Sequence, residues 1–166
     1  MKLADIVPRD AIVTDLRADD RDSAIVELLE ALEACGKVKP EHREDIMLAL
    51  LKREATASTA LGNGVAIPHV KTRCVSDFCG AIGIAPEGVD CDAQDGQPVS
   101  VFFLFLSPEH AISGHLQLMA HIAGLARNPR YVSLLRTARN MKEIQGLLGR
   151  CEEFLFGAPD EGGEER

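Results

Sequence analysis

The chain has 166 residues, 46% of them hydrophobic, enough to bury one ordinary core without staples and too few for a second catalytic domain. A formal net charge of -8 and a pI near 5.1 argue against nucleic acid or an anionic membrane surface as the main partner, and favour a basic patch on another protein. The five cysteines, Cys35, Cys74, Cys79, Cys91 and Cys151, are odd in number and form no Cys-x-x-Cys pair; neither a disulfide framework nor a zinc ribbon is signalled.

Such thiols suit a reducing compartment, and the chain opens without an apolar leader. Its longest apolar stretch, near Val99 to Leu106, is strand-sized and far short of a membrane span. A cytoplasmic protein without direct membrane insertion is expected.

In chain order, Asp22 or Ser23 is expected to cap a helix with an apolar stripe of Ile25, Leu28, Leu29 and Leu32, stopped by Gly36. Pro40 and Glu41 suit the first turn of a second helix carrying Ile46, Met47, Leu50 and Leu51 on one side, which leaves Arg53 at its C-terminal end. Gly62-Asn63-Gly64 is turn chemistry, followed by a short apolar strand, Val65 to Ile67. Pro68 donates no backbone hydrogen bond, so strand pairing is expected to stop there and His69 to emerge where the sheet ends.

Ala81 to Ala85 reads as a strand entering a Pro86-Glu87-Gly88 turn. Val99 to Leu106 is so continuously apolar that it should be a central strand covered on both faces. Three helices are expected after it. One runs roughly from Gly114 to Ala126, capped at Ser113. A second runs from Pro129 to Arg136, capped by Asn128. The last starts at Asn140, with Glu143 in the capping-box position and Ile144, Leu147 and Leu148 inward. The fold expected is a three-layer α/β/α sandwich, a mixed β-sheet with helices on both faces. One domain over 1–150 is expected, followed by an acidic tail over 151–166; from Gly157 onward it is rich in Gly, Asp and Glu and reads as disordered.

Two histidines stand out. His69 follows a strand and a proline, which suits either a nucleophile or a hydrogen-bonded structural residue. His115, near the start of a helix, shares a face with Leu118, Met119 and Ile122, and its ring can reach a strand end beside free helix N–H groups that favour a phosphate. It also suits a core histidine bonded to a carbonyl. Arg53 offers a planar fork of donors for phosphate oxygens, and as a C-terminal helix cation it also complements the dipole. The Ser58 and Thr59 hydroxyls can serve a phosphate, the His69 ring or their own backbone.

The arrangement Leu50-Leu51-Lys52-Arg53-Glu54, Ser58-Thr59, Gly62-Asn63-Gly64 and Ala66-Ile67-Pro68-His69, with a second block of Val101 to Leu106, Pro108 and His115-Leu116, resembles the enzyme IIA domains of the fructose, mannitol and nitrogen-regulatory branches of the bacterial phosphoenolpyruvate-dependent phosphotransferase system. The resemblance covers roughly Leu3 to Leu148. It implies that His69 is phosphorylated, that His115 is its active-site neighbour and that Arg53 binds the phosphate, with no cofactor and no metal. It further implies a phosphoryl donor of the HPr type, and downstream either an enzyme IIB or a regulated target protein. Where many members place a small residue after the active-site histidine, this chain has Val70, so the backbone leaving His69 should be more extended or strained.

The chain begins close to the first expected helix and leaves no room for an enzyme IIB or membrane IIC domain, so a free-standing IIA of the nitrogen-regulatory type is favoured over a sugar-uptake subunit. Two other classes compete. A metal protein would use His69, His115 and His110 or a cysteine, without any His-x-x-x-His spacing to support it. A non-catalytic binding module would keep the fold and lose phosphorylation. His42 and His121 are expected to be solvated or partly packed.

Overall fold

The computed structural model describes residues 2–155. Its sheet is organised around the apolar run read as a central strand. β6 (Val99–Pro108) is buried at every position, with β5 (Cys79–Val89) antiparallel on one side and β3 (Val65–Ala66) and β4 (His69–Thr72) parallel on the other. β1 (Ile12–Val13) pairs parallel with β5, and β2 (Ala60–Gly62) antiparallel with β3, giving the order β1-β5-β6-β3-β2 with β4 also on β6.

A strand buried on both faces needs cover on both, and the side chains of β6 alternate accordingly. Phe102, Leu104 and Leu106 pack with α2 (Arg21–Ala34) and α3 (Arg43–Thr56). Val101, Phe103 and Phe105 pack with α1 (Leu3–Ile6), α4 (Ile112–Ala126), α5 (Pro129–Arg136) and α6 (Met141–Gly149). The fold is the expected α/β/α sandwich with a mixed sheet.

Several local details differ from expectation. The cap of α2 is Asp20, whose carboxylate accepts from the Ser23 amide at 2.7 Å, rather than Asp22 or Ser23. Pro40–His42 is a short 3-10 turn leading into α3 rather than its first α-turn. Ser113 lies inside α4, whose N-cap is Ala111 with no side-chain cap. Pro86 to Gly88 does not turn the chain; β5 runs through to Val89 with an irregularity between Ile84 and Val89, where an edge proline is tolerated.

Pro68 does not end pairing either. The ladder on β6 pauses at Ile67 and Pro68 and resumes in unchanged register, Ala66 opposite Phe102 and His69 opposite Phe105. Proline lacks only the donor, and its carbonyl still accepts from the Phe105 amide at 3.0 Å. At the C-terminal end, α7 (Cys151–Leu155) continues past residue 150, with Cys151 buried and the Phe154 ring 4.9 Å from that of Tyr131. Phe154 and Leu155 of α7 pack against the same core as α4 to α6. The Gly157–Arg166 segment lies outside the described residues.

Candidate active site

His69 is the first residue of β4, so backbone pairing with β6 fixes its position, and alternation turns it toward α4 while Val70 packs on the α2–α3 side. Val70 is in extended backbone. Among the described residues the only non-glycine positions with positive φ are Asn63 and Asp92, so the valine adds no strain there. His69 Nδ1 lies 2.6 Å from the Ile67 carbonyl. A carbonyl only accepts, so Nδ1 carries the proton and Nε2 of the neutral ring carries the lone pair. Burial pushes the His69 pKa below its ordinary 6.5, the Ile67 hydrogen bond opposes that, the Arg53 cation lowers it further and the Glu54 carboxylate raises it. The ring is therefore neutral at pH 7, with Nε2 free to attack an electrophile.

After β6 the chain turns through Glu109 and His110 and returns as α4, which brings His115 back over the end of the sheet. Its ring centroid lies 5.6 Å from that of His69 at an interplanar angle of 42°. His115 is 9% exposed and its Nδ1 lies 2.7 Å from the hydroxyl of Ser107, a fully buried residue of β6. Burial, then His69, then Lys71 hold the His115 pKa below the ordinary value, so this ring too is neutral.

Arg53 stands in the last turn of α3 and donates from Nη1 to the Ala57 carbonyl at 3.2 Å. No carboxylate among the described residues lies within ion-pair distance of it. With Ser58, Thr59, Leu61, Ile67, His69, Met119 and Ala123 it lines a cleft of about 200 Å³. His69 lines this cleft and His115 does not, while larger clefts, near 340 and 480 Å³, lie elsewhere and contain neither histidine.

Ser58 and Thr59 are in the cleft wall but serve the protein itself. The Ser58 hydroxyl donates to the Cys91 carbonyl at 3.0 Å, and the Thr59 amide and hydroxyl donate to the Glu54 carboxylate at 2.8 to 3.0 Å. Neither hydroxyl is bonded to the His69 ring. Glu54, 2% exposed, thereby ties the end of α3 to the loop that carries the cleft wall.

Sequence reasoning gave Glu54 no role and passed over Ser107. The signal for Ser107 was present: it is the one polar residue continuing the odd-numbered face of Val101, Phe103 and Phe105. His110 is exposed, and no group of three or more His, Cys, Asp or Glu side chains among the described residues converges to hold a metal. His42 Nδ1 sits 3.3 Å from the Cys74 carbonyl and His121 Nε2 sits 3.4 Å from the Cys151 thiol, both half-buried and away from the cleft. No described helix is long and apolar enough to cross a membrane.

Known proteins resemble this chain over most of its length. Residues 5–150 match the model of the family described as phosphoenolpyruvate-dependent sugar phosphotransferase system, EIIA 2. A nitrogen regulatory protein of Bradyrhizobium diazoefficiens is 34% identical over 149 residues, 89% of this chain and 95% of that one. A fructose-specific EIIA component of Haloferax volcanii is 30% identical over 151 residues, 91% and 97% of the two chains. Among solved structures, the nitrogen regulatory protein IIA-Ntr of Neisseria meningitidis superposes with a TM-score of 0.80 at 32% identity, covering 88% of this chain and 98% of that one.

Proposed function

We propose a phosphocarrier mechanism on one premise: the chain belongs to the EIIA 2 family of the phosphoenolpyruvate-dependent sugar phosphotransferase system, whose members are phosphotransferases acting through a phosphohistidine. His69 is the acceptor. Its Nε2 lone pair attacks the phosphorus of a phosphohistidine on an HPr-type donor, a new N–P bond forms in line, and the donor's N–P bond breaks with its electron pair returning to the donor ring. His69 keeps its Nδ1 proton on the Ile67 carbonyl, so the phosphorylated ring is an imidazolium whose positive charge that contact stabilises. The observation that carries the reading is the 2.6 Å Nδ1 contact to Ile67, which leaves Nε2 as the nucleophile.

Arg53, which lines the cleft with His69, supplies donors for the phosphoryl oxygens from the α3 side, and His115, its ring 5.6 Å from that of His69, supplies one from the α4 side. Such groups act by holding the transferring group in line and stabilising charge on its equatorial oxygens. Ser58 and Thr59 shape the cleft through their own hydrogen bonds. Exposed Leu61, Ile112 and Leu116 lie on the two segments that carry the site and give a protein donor an apolar surface to dock on.

We assign the protein to the cytoplasm, where an HPr-type donor is found, and to the nitrogen-regulatory branch. The latter is supported by the Bradyrhizobium and Neisseria relatives. Phosphorylation adds nearly two negative charges beside Arg53 and α4, so the two forms should bind partners differently. The test is a pull-down from lysate with wild type, His69→Ala and a His69→Glu charge mimic. A regulated target that distinguishes these forms supports the branch; recovery of an enzyme IIB alone, with efficient transfer to it, moves the protein to sugar uptake.

A further inference from the structure

We propose that Ser107 is a positioning residue that holds His115 in the tautomer with its proton on Nε2, the opposite of the tautomer that Ile67 imposes on His69. One ring then presents a lone pair and the other an N–H to the same phosphoryl group. The inference rests on the phosphocarrier reading and adds to it a residue and a proton position.

Phe105 faces His69 across the β4–β6 ladder, and Ser107, two residues on, faces Lys71. Period two therefore puts His69 and Ser107 on the one sheet face that α4 covers. Ser107 is 0% exposed, and among the described residues its hydroxyl has one hydrogen-bond partner, His115 Nδ1 at 2.7 Å. A hydroxyl carries a single hydrogen. If Nδ1 were the protonated nitrogen it would donate to Oγ, and the Ser107 hydrogen would be left buried without an acceptor, at a cost of about 1–3 kcal/mol. The arrangement that satisfies both groups has Ser107 donating to a bare Nδ1. In a neutral imidazole the proton is then on Nε2.

The two backside partners are chemically unlike, and the difference has a consequence. The Ile67 carbonyl can only accept, so it fixes His69 as a Nδ1–H ring in every charge state. A serine hydroxyl both donates and accepts. When a phosphoryl group on His69 draws a second proton from solvent onto His115, the hydroxyl rotates and accepts from the new Nδ1–H; its own hydrogen then lacks an acceptor, a cost that the attraction between the phosphoryl charge and the imidazolium has to exceed, and the contact survives in both states. Nε2–H is present before and after transfer, without the ring having to flip.

The test has two independent readouts. Nitrogen-15 NMR of the histidine rings in the unphosphorylated wild-type protein reports the tautomers directly: His69 is expected as Nδ1–H and His115 as Nε2–H. Finding His115 protonated on Nδ1 in the wild type overturns the inference, whether or not the protein accepts phosphate. In Ser107→Ala the His115 signals should move toward a mixture of tautomers while those of His69 stay, and transfer from phospho-HPr should slow by about tenfold, the rate equivalent of one ordinary hydrogen bond. Wild-type transfer rates and an unmoved His115 signature in a folded Ser107→Ala protein would also overturn it. A wild-type protein that takes no phosphoryl group from HPr is a different result, which removes the phosphocarrier reading and leaves the tautomer decided by NMR.

Discussion

At the residue scale, burial sets the charge state of the site. The folded pKa of His69 lies below the ordinary 6.5, so an NMR titration of its ring should show a midpoint below 6.5; a midpoint at or above that value would contradict the picture of a desolvated, neutral nucleophile. Between the folded and unfolded values the unfolded chain binds more protons. Stability is therefore complete above the unfolded value and falls as the pH drops through that window. For Arg53→Lys the charge remains but the two-pronged geometry is lost, and transfer to His69 should slow by about tenfold or more, with the fold unchanged by circular dichroism. An unimpaired lysine variant would return Arg53 to its helix-end contact with Ala57. Thr59→Val removes the hydroxyl that serves the buried Glu54 carboxylate and should cost about 1–3 kcal/mol in urea unfolding. A neutral result would show that water or another donor replaces it.

The site was only partly legible at this scale. His69, His115 and Arg53 belong to motifs whose order and spacing stand out along the chain. Glu54 and Ser107 do their work through partners five and eight residues away, contacts that become visible only when a helix end meets a loop and a strand face meets a helix.

At the element scale, hydrophobic pattern and caps were informative where the signal is local. Asn128 and Asn140 cap α5 and α6 as expected, each accepting from the amide three residues on. Asn140→Ala should cost about 1 kcal/mol by denaturant unfolding, and no change would mean that the Arg139 amide bond to Glu143 alone holds that end. Prolines misled because their effect depends on which side of the backbone faces a partner. Pro68 and Pro86 both stay within ladders where an acceptor is kept or an irregularity absorbs the missing donor, a choice made by β6 rather than by the local sequence.

The same tight pairing explains Gly80. A Cβ there would come within 2.6 Å of the Phe105 ring and 2.9 Å of the Leu104 carbonyl, so Gly80→Ala should destabilise by about 1–3 kcal/mol. Phe105 is the direct neighbour of His69, so the variant should also slow phosphoryl transfer; wild-type stability would show that β5 can shift away freely.

At the scale of the whole molecule, one sheet separates two apolar cores, and the site sits where β4, the end of β6, α3 and α4 meet. The sandwich was legible because a run as apolar as Val99 to Leu106 has to be covered twice. Which strand ends would meet was not, since this depends on long-range parallel pairing. That geometry brings together two histidine rings from separate connections, 5.6 Å apart, in the arrangement proposed here for a nucleophile and its neighbour. Each is held by a backside contact, and exposed Leu61, Ile112 and Leu116 on the segments that carry them suit transient docking of a protein donor. The most direct test of this account is incubation with phosphoenolpyruvate, enzyme I and HPr, followed by intact-mass measurement of wild type and His69→Ala. The wild type should gain one acid-labile phosphoryl group and the variant none. Labelling that persists in His69→Ala, or a wild type that stays unmodified beside a working control acceptor, would contradict it.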